Sequence, residues 1–360
     1  MFEILSYKRK FDANKIKLVG NCGHPYIVRT SNDNGQKGFI DEAVEFLNEG
    51  NTISFGQDTA TMYYQEVPYF TGDKIKIFKS KFFRFNKVNA QFFLASMRKT
   101  FQCFSWGNSK FNTSVISNQK INLPTTKTNE IDFDFMESFI CELEHERINK
   151  LNAYLEASGL KDYELTEEEK TVLKGYENWT WEGFNLEELF GKSTRGKRLK
   201  SEDRAIGDLP FVTAGEANEG ISAFISNDVD VFSRNTTTID MFGSAKYRNY
   251  DYGADDHVAV VHTENLKKHT SIFVTAAIHK SSHAGKFDYS HNFYAKDADE
   301  LNIQLPTQNS LPDYKSMETF IRAIEKLVIK DVVLYVEKRL GAMNEVAYFQ
   351  SSSPTLAAEE

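Results

Sequence analysis

The sequence contains little cysteine and no long hydrophobic run, and each shortage excludes a class of protein. Its three cysteines, among 360 residues, lie far apart and form no CxxC pair, which argues against a disulfide framework and suits a reducing compartment. No run approaches the roughly 18 to 20 apolar residues of a membrane helix, and the N-terminal residues contain no apolar signal core. We therefore expect a cytoplasmic protein without membrane contact.

Catalytic motifs are scarce as well. The seven prolines are never adjacent, so the Asn/Asp-Pro-Pro-aromatic tetrapeptide of amino-methyltransferases does not occur. The GKS at Gly191 matches the end of a phosphate-binding loop, but Leu186 stands where that motif begins with glycine. His279 and His283 are four residues apart in HKSSHAGKF, which we interpret as a loop rather than a metal-binding helix. The sequence thus predicts no catalytic residue, no metal site and no cofactor bound by this chain.

The net charge of −8 is unevenly distributed along the chain. Residues 1–128 carry 18 Lys and Arg against 10 Asp and Glu, whereas residues 129–190 carry 5 against 17. Phosphate groups would attract the first block and repel the second. We expect the acidic block to face away from nucleic acid or to contact a protein.

The chain repeats itself with an offset of 181 to 184 residues. Several matched pairs of segments keep the same order along the chain, which chance similarity would not produce. The clearest pairs are INLPT at Ile121 with IQLPT at Ile303, FMESFI at Phe135 with SMETFI at Ser316, and NTISFG at Asn51 with NTTTID at Asn235. We conclude that the protein contains two copies of one module.

Each copy combines a strand-rich part with a long helix. Alternating Ile75 and Ile77 and the VAVVH run at Val258 predict short strands, while SIFVTAAIH at Ser271 fits a strand or a helix. These patterns predict a mixed α/β (α+β) fold with a pseudo-two-fold internal repeat. The predicted order is domain 1 over 1–129, a long helix over 130–159, a partly helical linker over 160–185 with a capping signal at Thr166 and Glu169, domain 2 over 186–311, a second long helix over 312–341 and a disordered tail over 342–360.

Narrow apolar stripes on the two long helices predict that these helices pack against each other. The alternative is that each helix packs on its own domain, but their equivalent places in a duplicated chain favour pairing. The stripe residues predicted to form this pairing face are Phe135, Phe139, Leu143, Ile148, Leu151 and Leu155 in the first helix and Phe320, Ile324, Leu327 and Tyr335 in the second.

Basic clusters at matched places in both copies are the candidate DNA contacts, because phosphates bind Lys and Arg and base edges bind Arg, Lys, Asn or Gln. For any single lysine, solvated surface charge is the simpler explanation, whereas recurrence of a cluster in both copies favours DNA. The candidates in the first copy are Lys8, Arg9, Lys10, Arg29, Lys79, Lys81, Arg84 and Lys110. Those in the second copy are Arg195, Lys197, Arg198, Lys200, Lys246, Tyr247, Arg248, Lys280, His283 and Lys286.

This ordered, duplicated set of motifs resembles the specificity subunits of type I restriction-modification systems, and equally the related subunits of type IIB enzymes. The resemblance covers roughly residues 1–340. It implies two target-recognition domains similar to the DNA-binding domain of the TaqI adenine methyltransferase, separated by two long antiparallel spacer helices. The first copy departs from the family pattern because it begins late, with a shorter lead-in than the second, which puts Lys8 to Lys10 in question.

The resemblance also implies a function, namely a non-catalytic subunit that reads double-stranded DNA, one half-site per domain, and binds two methyltransferase subunits through its helices. S-adenosylmethionine, and Mg²⁺ or ATP where they are used, would belong to those partners. The resemblance leaves open whether a restriction or translocase subunit also binds. Two other functions stay open on the residues alone: an enzyme with an unrecognised active site, and a structural or regulatory coiled-coil scaffold without DNA binding.

Overall fold

The computed structural model describes residues 1–20, 22–101 and 113–352, with side chains described up to residue 344. The chain divides into two compact units, the first formed by Met1–Leu151 with Leu340–Glu360 and the second by Asn152–Arg339. Each unit contains its own buried apolar core.

The first unit is built on a four-stranded antiparallel sheet of order β1-β7-β4-β5 and a three-stranded sheet of order β3-β2-β6, in which β2 and β6 are parallel. The strands are β1 (Phe2–Ser6), β2 (His24–Ile27), β3 (Gln36–Ile40), β4 (Thr52–Gly56), β5 (Met62–Gln65), β6 (Phe70–Thr71) and β7 (Ile75–Ser80). The helices are α1 (Ala90–Phe101), α2 (Thr113–Ser117) and the long α3 (Phe133–Ala157).

Helix α1 and the larger sheet form the core of this unit. Every residue of β4 is buried, as befits a central strand covered on both faces. The apolar residues of α1 recur at helical spacing and therefore share the face that meets this core. The residues that form the core include Ile53, Phe55, Phe78, Ala90, Phe93, Leu94 and Met97.

The second unit repeats this arrangement. Its first sheet has the order β14-β13-β16-β9, which matches β5-β4-β7-β1. Its second sheet, also four-stranded, has the order β11-β10-β15-β12, with β10 and β15 parallel. The strands are β8 (Trp181–Asn185), β9 (Thr194–Arg195), β10 (Ile206–Val212), β11 (Ile221–Ile225), β12 (Val231–Phe232), β13 (Thr236–Asp240), β14 (Ala245–Arg248), β15 (Tyr252–Ala254), β16 (Val258–Val261), β17 (Asn302–Gln308) and β18 (Leu311–Pro312). The helices are α4 (Glu167–Gly175), α5 (Leu186–Phe190), α6 (Lys268–Ser282), α7 (Ala295–Asp299) and the long α8 (Tyr314–Ser352). The predicted mixed fold is confirmed.

The units differ at the paired motifs INLPT and IQLPT. IQLPT lies in β17, which pairs antiparallel with β8, so that Ile303 faces Phe184 across the ladder. β8 belongs to the lead-in of the second copy, and the described residues of the first unit contain no counterpart of this strand. Residues 121–124 consequently form no strand, although their sequence matches that of β17.

Two local predictions about the second copy are wrong. The HKSSHAGKF segment is not a loop from its start, because α6 continues to Ser282 and includes His279. The second long helix does not end before Gly341, because α8 passes through this glycine to Ser352. A tail beginning at residue 342 is therefore excluded for 342–352. Residues 353–360 lie outside the described part of the chain.

The stripe predicted on α8 matches its buried face only in part. Phe320 and Ile324 are half-buried, whereas Leu327 and Tyr335 are exposed. On α3, Ile148 and Leu155 are buried one heptad apart, whereas Phe135, Phe139 and Leu143 are exposed. Besides Met317 in its first turn, the buried face of α8 includes Thr319, Ala323, Lys326, Val333 and Val336, mostly at heptad spacing.

A buried lysine joins the linker to α8 within the second unit. The Lys326 ammonium lies 2.9 Å from a carboxylate oxygen of Asp162 and 3.3 Å from one of Glu169, and it donates a hydrogen bond to the carbonyl oxygen of Glu164 at 2.8 Å. Glu169 also completes the capping box that begins α4, as its spacing from Thr166 predicts. Burial opposes the charge of Lys326, but the bonds to Asp162 and Glu169 prevail and raise the pKa of Lys326.

Candidate DNA interface

Two basic clusters follow topologically equivalent strands in the two units. β1 is added at the edge of the first sheet beside β7, with Leu5 opposite Ile77. β9 is added beside β16 in the same way, with Thr194 opposite Val260, the counterpart of Ile77. The segments that leave β1 and β9 carry Lys8, Arg9 and Lys10 in the first unit and Lys197, Arg198 and Lys200 in the second. The basic run after β1 therefore occupies the same place in its unit as the run after β9.

In the first cluster the three side chains are exposed, but neighbouring residues restrict their movement to different degrees. The Arg9 guanidinium lies over the rings of Phe46, at 4.7 Å, and Phe11, at 5.3 Å, which holds its charge at the surface in one place. Lys10 lies 3.3 Å from Asp73, whereas the backbone amide of Lys8 donates to Asn48. Exposed ion pairs of this kind contribute little to stability, so Lys10 is able to exchange Asp73 for a phosphate.

The second cluster lies on a loop that the protein holds in shape. Arg204 donates to the carbonyl oxygen of Leu199 through two nitrogens, and Asp255 accepts a hydrogen bond from the Leu199 amide. The basic side chains themselves are exposed, with Lys197 at 3.0 Å from Asp230 and Lys200 at 3.6 Å from Glu202; Arg195 and Arg198 are also exposed. The role of Arg204 and Asp255 was not foreseen. Arg204 lies close to the basic run in the sequence, whereas Asp255 lies 56 residues beyond Leu199 and gives no such signal.

A cleft of about 720 Å³ lies next to the first cluster. Lys10, Arg29 and Asp73 line it together with apolar side chains such as Phe11 and Val28. Arg29 is paired with Asp58, which also binds Lys74 at 2.8 Å. A guanidinium held in this way loses little side-chain freedom when it contacts a base or phosphate. Asp58 and Lys74 were not among the predicted site residues.

The remaining candidates of the first unit are engaged in other contacts or outside the described residues. Lys79 pairs with Glu49 at 2.6 Å, and Lys81 is exposed. Arg84 donates to the Asp134 carboxylate in the first turn of α3, and this pairing lowers the pKa of Asp134. Arg84 is therefore better explained as the attachment of α3 to its domain than as a DNA contact. Lys110 lies outside the described residues.

The predicted group on β14 is engaged within the second unit, and the prediction of a DNA contact is wrong for Arg248. Arg248 is 1% exposed and donates to Thr238 and to the hydroxyl of Tyr250. Lys246 is largely buried against Glu216 and Asp240. The Tyr247 hydroxyl donates to Asn235, and burial raises its pKa. These side chains stabilise the sheet of the second unit, and Arg248 has no surface to offer to DNA.

The last candidates lie at the end of α6. Lys280, His283 and Lys286 are exposed there. The rings of His279 and His283 stack with centroids 4.8 Å apart, and the His279 pKa is lowered, chiefly by burial and then by His283. His279 accepts a hydrogen bond from the Ala245 amide, which gives this ring a structural role.

The comparisons with known proteins agree with this duplicated architecture. The family model described as the type I restriction modification DNA specificity domain matches residues 1–153 and again 178–334. The chain belongs to this family. The specificity domain thus occurs twice, once in each copy, and the proposed resemblance is confirmed.

Two relatives of this specificity protein cover almost its whole length. The specificity subunit S.BcgI of the type II restriction enzyme BgcI from Heyndrickxia coagulans is 28% identical over 338 residues, which are 91% of this chain and 93% of that protein. The crystal structure of the type I restriction-modification S subunit from M. genitalium aligns with a TM-score of 0.56 at 16% identity, over 96% of this chain and 91% of that one. The structural similarity to the M. genitalium subunit supports the assignment of the fold.

These findings favour the specificity protein over the coiled-coil scaffold, since both domains of the chain match the family and the two long helices are only part of each copy. Among the described residues, no helix is both long and apolar enough to cross a membrane.

Proposed function

We propose that this chain is the sequence-reading subunit of a restriction-modification enzyme and that each unit reads one half of a two-part DNA target. The observation that carries the proposal is the equivalent placement of exposed basic clusters after β1 and after β9, in two copies of a DNA specificity domain. Equivalent surfaces on a shared scaffold suit two half-sites, and differences between the loops would make the two half-sequences different.

The long helices α3 and α8 would serve as an antiparallel spacer that sets the distance between the half-sites. Their heptad-spaced buried residues support this role. The chain would read DNA without modifying it, and two methyltransferase chains would supply S-adenosylmethionine and methylate adenine. Where Mg²⁺ or ATP is used, the partner chains would bind it. The similarity to S.BcgI over 93% of that subunit favours a type II restriction enzyme as the complex to which this chain belongs. A partner chain would then cleave the DNA.

The decisive experiment maps methylated adenines in the host genome with and without the gene for this chain. We expect deletion to remove one two-part motif with a fixed gap and reintroduction of the wild-type chain to restore it. A methylation map that stays the same in a host whose enzyme is expressed would contradict the proposal. Reintroduction of Lys197→Ala/Arg198→Ala should restore the motif only weakly, whereas Lys330→Ala, on α8, should restore it fully.

A further inference from the structure

One hairpin turn has the same backbone in both units. In the first unit it joins β2 to β3, and the Val28 amide donates to the carbonyl oxygen of Gly35 at 2.8 Å. In the second unit it joins β10 to β11, and Thr213 donates to Gly220 in the same way at 2.9 Å. Each turn ends in three consecutive residues with left-handed φ, the last of them a glycine. Residues of the two hairpins can therefore be compared position by position.

The side chains of the two hairpins differ at the position after the donor. Arg29 lies there in the first unit, and Ala214 lies there in the second. The arginine links its hairpin to the turn between β4 and β5, because it donates to Asp58. The second unit links the same two turns through a backbone amide, since Gly215 donates to Asp240 at 3.2 Å. An arginine is therefore not needed to hold the two turns together.

The first unit also leaves room for this side chain. Gly56 is the last residue of β4, as Asp240 is the last residue of β13. A Cβ atom on Gly56 would lie 3.2 Å from Cγ of Arg29. It would also lie 2.6 Å from the hydroxyl oxygens of Thr59 and Thr61, so a side chain there would displace the turn. Arginine with glycine and alanine with aspartate are thus alternative sets at one place of the module.

The guanidinium of Arg29 is held on one side only. Nη1 donates to Asp58, whereas Nε and Nη2 have no acceptor among the described residues. The side chain is 33% exposed and lines the cleft of about 720 Å³. Asp58 also binds the Lys74 ammonium at 2.8 Å, so two cations share one carboxylate and one positive charge is in excess. The wall of the cleft therefore offers two N–H donors in an orientation that Asp58 fixes.

We propose that Arg29 reads a guanine in the DNA half-site that the first unit binds. Guanine presents O6 and N7 side by side at its major-groove edge, and two parallel N–H donors of a guanidinium match this pair of acceptors. Ala214 has no side-chain donor, so the second unit reads its half-site without this contact. The proposal rests on the proposed function, which supplies the DNA, and adds the residue and the base.

Two other roles of Arg29 lead to different expectations. A purely structural link to Asp58 would affect the binding of all DNA sequences alike. A phosphate contact fixes the position of the protein but carries no sequence information. Only a base contact makes the affinity depend on a single atom of a single base, and the experiment therefore changes such atoms in the DNA.

Replacement of guanines in the target tests the contact. The enzyme assembled from this chain and its methyltransferase chain is titrated with duplexes of its mapped two-part target. In each duplex one guanine is replaced by 7-deazaguanine, which lacks N7 but still pairs with cytosine. At the position that Arg29 reads, we expect binding to weaken about fivefold or more, as befits the loss of a two-bond contact. A target without guanine, or one in which no guanine responds, would overturn the proposal.

A variant with a matched control assigns the response to Arg29. Arg29→Met removes the donors, while Asp58 keeps Lys74 as its partner, so the unfolding midpoint should change little. One position should then bind guanine and 7-deazaguanine equally well, whereas all other positions should respond as in the wild-type enzyme. Arg147→Met, which removes an exposed arginine from α3, should leave every response unchanged. If no position loses its response in Arg29→Met, or if all lose it together, the assignment is refuted.

This outcome is separable from the outcome for the proposed function. If the wild-type enzyme prefers its mapped target to a scrambled duplex, but Arg29→Met leaves the pattern of responses unchanged, the base contact is wrong while the function stands. If the wild-type chain restores no methylation motif and its assembled enzyme prefers no sequence, the function itself is wrong.

Discussion

At the scale of single residues, the two units place different side chains, Arg248 and Gln65, at one equivalent buried position. Arg248 is opposite Thr236 on the neighbouring strand, and Gln65 is opposite Thr52 at the equivalent place in the first unit. Arg248 donates to Thr238, and Gln65 donates to Ser54, the counterpart of Thr238. A buried charge is costly unless its donors are satisfied, so the surrounding hydroxyl groups are what allow arginine there.

Replacement of this arginine should test that explanation. Arg248→Ala leaves a cavity and removes the donors to Thr238 and Tyr250, which we expect to cost about 2 to 5 kcal/mol. Arg248→Gln, the residue of the first unit, should cost less. Hydrogen exchange of the amides in β13 and β14 measures the loss, and Arg198→Ala, at the surface, is the control. Equal exchange in all three variants would contradict a structural role for Arg248.

The strand that contains Arg248 also shows where the sequence misleads. Lys246, Tyr247 and Arg248 form a basic patch when only their charge is considered, and that reading predicted DNA contacts. The burial of Arg248 depends on hydroxyl groups that reach it from other parts of the fold, Thr238 among them, and no local pattern reveals such partners. The exposed clusters after β1 and β9 were predictable, because loops between short strands present their charges to solvent.

At the scale of elements, the face of α8 was misjudged because a charged residue lies on it. Lys326 occupies a heptad position between Ala323 and Val333, and an apolar stripe that omits Lys326 shifts to Leu327 and Tyr335. The places of both long helices and the length of α3 were predictable from the repeated motifs, whereas α8 continues past its predicted end. Their buried faces were not, since only tertiary partners such as Asp162 and Glu169 make a buried lysine acceptable.

Removal of this lysine should release the linker from α8. Lys326→Ala leaves Glu169 buried without its cation, and breaking such a pair costs about 3 to 5 kcal/mol. We expect faster hydrogen exchange over residues 159–169 and a lower unfolding temperature. Lys330→Ala, which removes a cation 5.9 Å from the ring of Tyr163, should change both quantities much less.

The pH dependence of the same contact follows from the pKa shifts. The hydrogen bond from Lys326 lowers the pKa of Asp162 below its ordinary value of 3.8, so this contribution to stability is present above that value and disappears as the pH falls further. Because the pKa of Lys326 is raised above its ordinary value of 10.5, the contribution of Lys326 to stability persists up to at least pH 10.5. Wild-type and Lys326→Met chains should therefore differ in stability by a constant amount between about pH 5 and 10, as thermal unfolding across this range will show; a difference that varies across it would contradict the assignment.

The length of the helices should set the gap in the DNA target. Deletion of residues 148–154 from α3 together with 333–339 from α8 removes one heptad from each, or about 10.5 Å of rise. We expect the gap between the methylated half-sequences to shorten by about three base pairs at 3.4 Å each. An unchanged gap in an enzyme that still methylates DNA would disprove the spacer role, and single-helix deletions serve as controls for misfolding.

At the scale of the whole molecule, the uneven charge reconciles an acidic protein with DNA binding. Neutralising one basic cluster should weaken binding of the assembled enzyme to all sequences. Lys8→Ala/Arg9→Ala and Lys197→Ala/Arg198→Ala should each reduce the slope of log affinity against log salt by about 2, at about 0.9 per lost phosphate contact. Binding titrations at several salt concentrations check this, with Lys87→Ala/Lys99→Ala as the control. A slope that does not change would exclude these residues from the interface.

The exposed rings of Phe135 and Phe139 on α3 have a consequence for the supply of the protein in the cell. Chaperones and proteases bind exposed apolar side chains such as these, and they remove chains that are incompletely assembled. Free copies would then be short-lived and copies bound to a partner long-lived. The abundance of this specificity chain would follow that of the methyltransferase without any transcriptional control. The host would then contain few chains without a partner that could compete for its DNA.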